Sequence, residues 1–368
     1  MKLVLYEWCC SGGLHGPDAL RLPTAGAAGS TPTVMAEAVA MFRGLAQDAA
    51  RDPGLEVTVL VDGGLPRPAW DAVVGHAAGR IRQVPAGDEI DVLVAEAARA
   101  DWAIVVAPET AGLLASRVEA VYRAGGRPAA CGPRFIGIAG DKQATATALA
   151  AAGVPVPPGR ALAAGEPLPV GFHLPAVWKA RDGVGGDGLA IIRSAAEALA
   201  AAPTPRRVEA FVPGIPVGVS CLCGPGGVFP LPPVRQRFTS GPRPTYLGGV
   251  VCGRAPWRRR AECLATRAIA AVVRAAGGIG GEAAAAGWVG VDMVLGADED
   301  GGGDRVLEVN PRLTTSFVGL AAGRTESLVR LLLDAAAGGT IAVPAAGDTA
   351  MEFDLSGAAR CDDGREAG

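Results

Sequence analysis

The sequence has 368 residues, 49% of them hydrophobic, and a formal net charge of -3. This length and apolar content suit two or three domains with buried cores, and the charge gives no reason to expect a nucleic-acid partner. No apolar stretch reaches the roughly 18 residues of a membrane span. The N-terminal "MKLVLYEWCC" is typical of a first strand rather than a cleaved signal. Eight cysteines without a CxxC pair indicate reduced thiols in a cytoplasmic protein.

Two residue types are conspicuously scarce. The chain has 31 Arg but three Lys, and a single Asn. If Arg has replaced Lys at every position that tolerates both residues, a remaining Lys marks a position that needs a compact ammonium on a flexible stem. Lys142 and Lys179 lie beside glycines in the middle of the chain, although chance alone is the competing explanation. Asn310 lies between Glu308 and Arg312.

Strand and helix patterns alternate over residues 1–135, which predicts a Rossmann-like α/β domain with a parallel sheet covered on both faces. Ligands of such sheets bind beyond the strand C-termini, which places the loop "EWCCSGG", with Glu7, Ser11 and Gly12, at the rim of a substrate site. Glu7 could meet an amine substrate there, or it could be a buried structural carboxylate. No GxGxxG motif follows the first strand, so a dinucleotide site is not indicated. The segments in order are "KLVLY", "PTVMAEAVAMFRGLAQDAARD", "LEVTVLVD", "EIDVLVAEAARA", "DWAIVVAP", "LLASRVEAVYRAG" and a short strand "RPAACG".

Residues 136–212 form a smaller predicted unit. Its first helix, "DKQATATALAAAG", has Asp141 near its start and Gly153 as its stop. A strand "AVWKA", a loop "RDGVGGDG", a strand "LAIIR", a helix "SAAEALAA" and a strand "RVEAFV" follow.

Strands dominate residues 213–345, and we expect residues 346–368 to be a loosely held tail. The strand segments are "VGVSCLCG", "VFPLPPVRQRF", "WVGVDMVLG" and "RVLEVN", and the helices are "RRAECLATRAIAAVVRAAG" and "TESLVRLLLDAAAG".

The last two strands flank a loop rich in Gly and Asp, which predicts an antiparallel hairpin. If its turn centres near Asp300, Asp292 lies across from Glu308, and Asn310 leaves the same face as Glu308. Two facing carboxylates repel each other unless a cation joins them, and Mg²⁺ or Mn²⁺ suits oxygen ligands. A solvated hairpin face would give the same pattern.

Several motifs indicate nucleotide phosphates. Lys142 begins a helix, where free N–H groups and the helix dipole favour phosphate. Lys179 precedes a Gly-rich loop that could fold bare amides over a triphosphate, although a flexible surface loop is the alternative. The glycines of this loop are Gly183, Gly185, Gly186 and Gly188.

Two further segments are candidates for contacts with ATP. The end of the strand "RVEAFV", with Glu209, Phe211 and Val212, suits an adenine edge and face. Arg312 could grip a transferring phosphoryl group or an oxyanion bidentately, or it could simply pair with a surface carboxylate.

In order along residues 135–320, these motifs resemble those of the ATP-grasp superfamily. The segments that carry the resemblance are Lys142, Lys179 with "DGVGGDG", "VEAFV", "VGVDMVL" and "LEVNPR". The resemblance implies an ATP-grasp fold behind an N-terminal pre-ATP-grasp domain. It also implies a Gly-rich flap closing over ATP, and two Mg²⁺ ions on Asp292, Glu308 and Asn310. The acidic residue that often meets the ribose is replaced here by "GIPVG".

Within that superfamily, "YEWCCSGG", "RQRF", "YLGGVVCG" and "EVNPRLTTS" are similar to the branch that contains tyramine-glutamate ligase. That branch implies substrate contacts at Gln236, Arg237 and Tyr246, and a role in cofactor biosynthesis.

The resulting hypothesis is an ADP-forming ligase that joins a glutamate-like amino acid to an amine through an acyl phosphate, with Arg312 and Lys179 as catalytic residues. Its partners would be small-molecule carboxylate and amine substrates, with a homodimer left open. A biotin-carboxylase-like enzyme is an alternative, although the chain has no biotinyl-lysine segment. A peptide or D-amino acid ligase and a non-catalytic ATP-sensing module are the others.

Overall fold

The computed structural model of the protein describes residues 1–16, 18, 30–65, 71, 74, 79–183, 189–194, 197, 205–343 and 350–361, with side chains from residue 34 onward in the first helix. Within these ranges the strands form three sheets, and no helix is long and apolar enough to cross a membrane. The glycines Gly185, Gly186 and Gly188 lie outside the described residues, as does most of the predicted helix "SAAEALAA".

The first sheet is parallel, as predicted. Its strand order is β3-β2-β1-β4, and every neighbouring pair runs parallel. Strand β1 is buried from its second residue onward, which explains its unbroken apolar run. The elements are β1 (Lys2–Glu7), α1 (Ser30–Ala49), β2 (Glu56–Asp62), β3 (Arg80–Val84), α2 (Glu89–Ala97), β4 (Trp102–Val106) and α3 (Leu113–Arg123).

Two details of this domain differ from the sequence analysis. The segment "RPAACG" makes only a single bridge, between Pro128 and Ala103, because proline has no N–H with which to extend a ladder. Strand β3 was not predicted, since four of its five residues are exposed and carry no apolar alternation.

The second sheet is antiparallel, in the order β5-β8-β6-β7. It has its own small core of Leu162, Ala176, Trp178, Ile192 and Val208. This separate core supports our proposal of a small subdomain for the sheet itself, whereas Ile136, Ala139, Leu149 and Val154, which precede the sheet in residues 136–212, belong to the main hydrophobic cluster. The elements are α4 (Pro133–Ala139), α5 (Lys142–Ala151), β5 (Gly159–Leu162), β6 (Ala176–Ala180), β7 (Ala190–Ile192) and β8 (Arg206–Ala210).

The third sheet is the largest and is antiparallel, in the order β14-β13-β9-β11-β12-β15-β16, with β10 paired to β9. Its strands are β9 (Ile215–Gly224), β10 (Gly227–Pro230), β11 (Val234–Phe238), β12 (Tyr246–Val251), β13 (Gly287–Leu295), β14 (Arg305–Asn310), β15 (Met351–Phe353) and β16 (Ala359–Cys361). Its helices are α6 (Arg258–Ala276), α7 (Ser316–Ala322) and α8 (Leu328–Ala336).

Two predictions for this region are corrected. The segment "VFPLPPVRQRF" is two strands rather than one, because Pro232 and Pro233 cannot donate to a ladder. The expected loose tail contains β15, which pairs with β12, and β16, which pairs with β15. Phe353 is buried there, at 1% exposure. The tail prediction is therefore wrong for these two strands.

The first domain is docked firmly on the large subdomain. Helix α1 packs against α7 and α8, and the buried Asp48 carboxylate accepts hydrogen bonds from Ser327 Oγ at 2.9 Å and Val329 N at 2.7 Å. One continuous hydrophobic cluster spans both units. They therefore share one core, and a cleft lies between this core and the sheet β5-β8-β6-β7.

Candidate active site

The hairpin of β13 and β14 has the predicted register. Asp292 lies directly across from Glu308, and Gly290 lies across from Asn310. The Asn310 Nδ2 atom donates to Asp292 Oδ2 at 2.8 Å. Because the amide nitrogen is committed to Asp292, the amide oxygen is the Asn310 atom left for a ligand.

The Asp292 carboxylate is held on both sides. Gln236 on β11 donates from Nε2 to Asp292 Oδ1 at 2.7 Å. Gly218 on β9 lies opposite Asp292, and a Cβ at that position would lie 3.2 Å from Asp292 Oδ1 and 3.3 Å from Gln236 Nε2. The glycine therefore leaves the room that this hydrogen bond needs. Gln236 positions Asp292 and also lines the cavity, so its predicted contact with substrate stays a prediction.

The two facing carboxyl groups differ in their affinity for protons. Burial, followed by repulsion from Glu308, raises the pKa of Asp292 to about 7, against the opposing hydrogen bonds from Asn310 and Gln236. Burial alone would also raise the pKa of Glu308, but the ammonium groups of Lys142 and Lys179 outweigh it and lower that pKa. A cation between the two groups would allow both to ionise.

The donor set fits a hard divalent ion. Within the described chain, no three or more His, Cys, Asp and Glu side chains gather as a metal cage. Two carboxylates and one amide oxygen instead suit Mg²⁺ or Mn²⁺, because such ions take few protein ligands and complete their shell with water and phosphate oxygens.

Lys142 reaches this hairpin from the small subdomain. It begins α5 directly after Asp141, whose side chain caps the helix by accepting from the N–H groups of residues 143 and 144. The Lys142 Nζ atom lies 3.3 Å from Glu308 Oε2 and donates to Gly183 O at 2.7 Å. Burial would lower the pKa of Lys142, but Glu308 and Glu109 together raise it. The group is therefore a fixed positive charge.

Lys179 reaches the same strand from β6. Its Nζ atom lies 2.6 Å from Glu209 Oε1 and donates to Leu307 O at 3.2 Å. Glu209 also accepts from Arg207 Nε at 3.0 Å. The buried Lys179 ammonium is therefore balanced by the Glu209 carboxylate, and it contacts β14 at Leu307, one residue before Glu308.

A cavity of about 190 Å³ lies in the cleft where these side chains meet. Nine of the residues predicted from the sequence line it: Lys142, Lys179, Gly183, Gln236, Tyr246, Asp292, Glu308, Asn310 and Arg312.

A group of hydroxyls in the cavity wall was not predicted. Ser316 Oγ lies 2.8 Å from Ser220 Oγ and 2.7 Å from Thr314 Oγ1, and Trp288 Nε1 donates to Thr314 Oγ1 at 3.1 Å. The run "TTS" shortly after Arg312 is the sequence feature that could have predicted these hydroxyls. Glu37, on α1, also lines the cavity and had no signal in the sequence.

Arg312 pairs with a carboxylate and lines the cavity, and its role in holding a phosphoryl group stays a prediction. Its Nε atom donates to Glu109 Oε2 at 3.0 Å, and its Nη1 atom donates to Leu313 O at 3.1 Å. Burial would lower the pKa of Arg312, but Glu109, then Glu37 and Glu308, raise it. The guanidinium is therefore tied to a buried carboxylate of the first domain and still lines the cavity.

Arg237 does not line the cavity, contrary to the prediction. It contacts Glu352 and lies 3.5 Å from Phe353 O on β15. Successive residues of a strand face opposite sides of the sheet. Since Gln236 faces Asp292, Arg237 must face away.

Two of the three predicted substrate residues of the first loop also have structural roles. Ser11 is fully buried, and its Oγ donates to Leu60 O at 2.7 Å. Gly12 has a φ of 90°, a backbone conformation that favours glycine. Neither Ser11 nor Gly12 lines the main cavity or a smaller one beside it, whereas Glu7 lines the smaller one.

The predicted adenine segment is partly engaged within the protein. The backbone of Glu209 pairs with both β5 and β6, and Phe211 N donates to Pro175 O at 3.1 Å. Of the three predicted residues, Val212 alone has no hydrogen bond from its N–H within the described ranges. A recognition role for Glu209 is therefore corrected to one of pairing with Lys179.

Comparison with known proteins agrees with this architecture. The model for an ATP-grasp domain matches residues 139–316, and the model for a pre ATP-grasp 3 domain matches residues 55–136. A comparison with curated proteins gave no sequence match.

Three solved structures illustrate the similarity. An ATP-grasp superfamily protein from Archaeoglobus fulgidus is 22% identical, with a TM-score of 0.65 over 96% of this chain and 92% of that one. The L-amino acid ligase from Bacillus licheniformis is 17% identical, with a TM-score of 0.64 over 95% and 78%. The N5-carboxyaminoimidazole ribonucleotide synthetase from Thermus thermophilus is 20% identical, with a TM-score of 0.63 over 96% and 82%.

At these identities the structural likeness shows the fold. The two family models together cover residues 55–136 and 139–316, in the order that the sequence motifs predict. The chain therefore belongs to the ATP-grasp superfamily.

Proposed function

We propose that this protein is an ATP-dependent ligase that joins a small-molecule carboxylate to an amine and releases ADP and phosphate. One observation carries the proposal: facing carboxylates on a hairpin share a cavity with two ammonium groups from another subdomain. ATP-grasp ligases form C–N bonds with ADP as product, and the L-amino acid ligase from Bacillus licheniformis has this fold.

In this proposal the triphosphate lies between the hairpin and the small subdomain. Lys142 and Lys179 exchange their present partners, Glu308 and Glu209, for phosphate oxygens. Gly183 begins the Gly-rich loop that would cover them, and Phe211 and Val212 would meet adenine. Asp292, Glu308 and Asn310 would hold Mg²⁺ or Mn²⁺, which when bound neutralises phosphate charge.

The proposed reaction activates the substrate carboxylate, which by itself is a poor electrophile for an amine. The substrate carboxylate oxygen attacks the γ-phosphorus, the bond to the ADP oxygen breaks, and an acyl phosphate forms. The amine then attacks the acyl carbon, and phosphate leaves with its bridging oxygen while the amine loses a proton. Arg312 holds the transferring phosphoryl group, and Lys179 offsets its charge.

The substrates are proposed at two levels of detail. An amino acid as the acid, glutamate-like, and a role in cofactor biosynthesis rest on the similarity of "YEWCCSGG" and "EVNPRLTTS" to the tyramine-glutamate ligase branch. Bicarbonate is the alternative acid, because a biotin carboxylase domain from Hydrogenobacter thermophilus shares the fold. A cytoplasmic location and a homodimer stay predictions.

A screen with hydroxylamine tests the activity. Each of the common amino acids, and bicarbonate, is incubated with ATP, Mg²⁺ and hydroxylamine, and both phosphate and acyl hydroxamate are measured. We expect one acid class to give both products, and to lose both when Mg²⁺ is omitted. Phosphate release that never depends on an added acid would contradict the ligase.

The metal site predicts a specific pH dependence of stability. The pKa of Asp292 is raised from 3.8 to about 7 in the fold, so between these values the folded state binds the extra proton. This contribution to stability is lost as pH rises through that interval. Ionised Asp292 binds Mg²⁺ better, so Mg²⁺ should raise Tm more near pH 8 than near pH 6.

The control is Asp292→Asn. In this variant Mg²⁺ should no longer raise Tm, and the difference between pH 6 and pH 8 should disappear. An equal Mg²⁺ effect on Tm at both pH values, or one that persists in this variant, would be evidence against the site.

Substitution of Lys179 by Arg tests the argument from scarce lysines. The Lys179 side chain is 8% exposed, and a planar guanidinium cannot reproduce a compact ammonium between Glu209 and Leu307. We expect kcat for ATP turnover to fall by about tenfold or more, the cost of one charged hydrogen bond. Lys2→Arg, at an exposed strand end, is the matched control and should retain full activity. Equal activity of the two variants would refute a special role for Lys179.

A further inference from the structure

A second cavity, of about 30 Å³, adjoins the main one. Glu37 and Arg312 line both cavities, so these two side chains lie at the boundary between them. The rest of the small cavity combines apolar side chains, including Val34 and Met41 of α1, with the carboxylate of Glu7. It lies where the first domain meets the large subdomain.

Glu37 is available to a ligand in a way that Glu7 is not. The Oε2 atom of Glu7 accepts from Cys10 N at 2.8 Å. Glu37 is half-buried, and its carboxylate makes no hydrogen bond within the described residues. Burial raises the pKa of Glu37 to about 7, although Arg312 opposes the shift. Arg312 acts on this carboxylate through its charge, and a cationic ligand would add a hydrogen-bonded partner.

We propose that the small cavity is an amine pocket, which receives the aminoalkyl end of the amine substrate, and that Glu37 determines its specificity for a cation. The inference rests on the proposed function and adds the binding site of the second substrate. An ammonium at Glu37 lies beside Arg312, where the acyl phosphate is held. Its first carbon atoms then pack against Val34 and Met41.

The size of the pocket limits what enters it. One water-sized group needs about 10–15 Å³, so a volume of about 30 Å³ holds roughly two such groups. A nitrogen and an adjoining methylene fit within this volume. The pocket therefore suits unbranched primary amines, with any larger portion lying outside it.

The test compares charged amines with hydroxylamine. Hydroxylamine is small and largely uncharged near neutral pH, so it needs neither the carboxylate nor the apolar wall. For Glu37→Gln, the ratio of kcat/KM for methylamine, ethylamine or tyramine to that for hydroxylamine should fall by about tenfold or more, as expected for loss of a charge-assisted hydrogen bond. The acid is the one that gives most hydroxamate with the wild-type protein.

Two further variants make the result decisive. Glu119→Gln removes an exposed carboxylate on α3 and should leave the ratio unchanged. Val34→Phe fills the pocket without changing charge, and should lower the ratio more for ethylamine and tyramine than for methylamine.

An unchanged ratio in both Glu37→Gln and Val34→Phe would overturn the amine pocket, while hydroxamate formation kept the ligase intact. A wild-type protein that formed no hydroxamate with any acid would overturn the proposed function, and the pocket with it.

Discussion

The repulsion between Asp292 and Glu308 is the constraint on which the site depends. The register of β13 and β14 places these carboxyl groups opposite each other in a buried cavity, where neither can ionise cheaply without a counter-charge. Lys142 and Lys179 supply positive charge beside Glu308, and a divalent ion would supply the rest. The same interaction therefore links the subdomains electrostatically and, in the proposed function, prepares the site for the metal and the triphosphate.

Other polar contacts determine how the domains are arranged around Asp292 and Glu308. Asp48 and the shared core lock the first domain to the large subdomain, and Glu109 of the first domain holds Arg312 at the cavity edge. The sheet of the small subdomain has its own core and contacts the centre through Lys179, whereas the helix that begins at Lys142 packs in the main core. Binding of a triphosphate would exchange the partners of these two lysines, so ligand binding and closure of the cleft are expected to be coupled.

Much of the centre follows from sequence because it depends on local rules. The pairing of Asp292 with Glu308 follows from a hairpin register, and the parallel sheet follows from alternating strands and helices. The prediction for Arg237 was wrong because similarity to a family identifies a segment near the site. Strand alternation then determines which side chains of that segment face the cavity. Glu37 and Glu109 were missed because only tertiary packing brings them to Arg312. The strand β15 was not predicted because the surrounding segment is polar, although Phe353 is buried there.

The most direct test is a crystal structure with Mn²⁺ and a non-hydrolysable ATP analogue, with Mn²⁺ located by anomalous scattering. The account predicts a Mn²⁺ peak coordinated by oxygens of Asp292, Glu308 and Asn310, and phosphate oxygens within hydrogen-bonding distance of Lys142 and Lys179. Mn²⁺ bound elsewhere, or a triphosphate that contacts neither lysine, would contradict it.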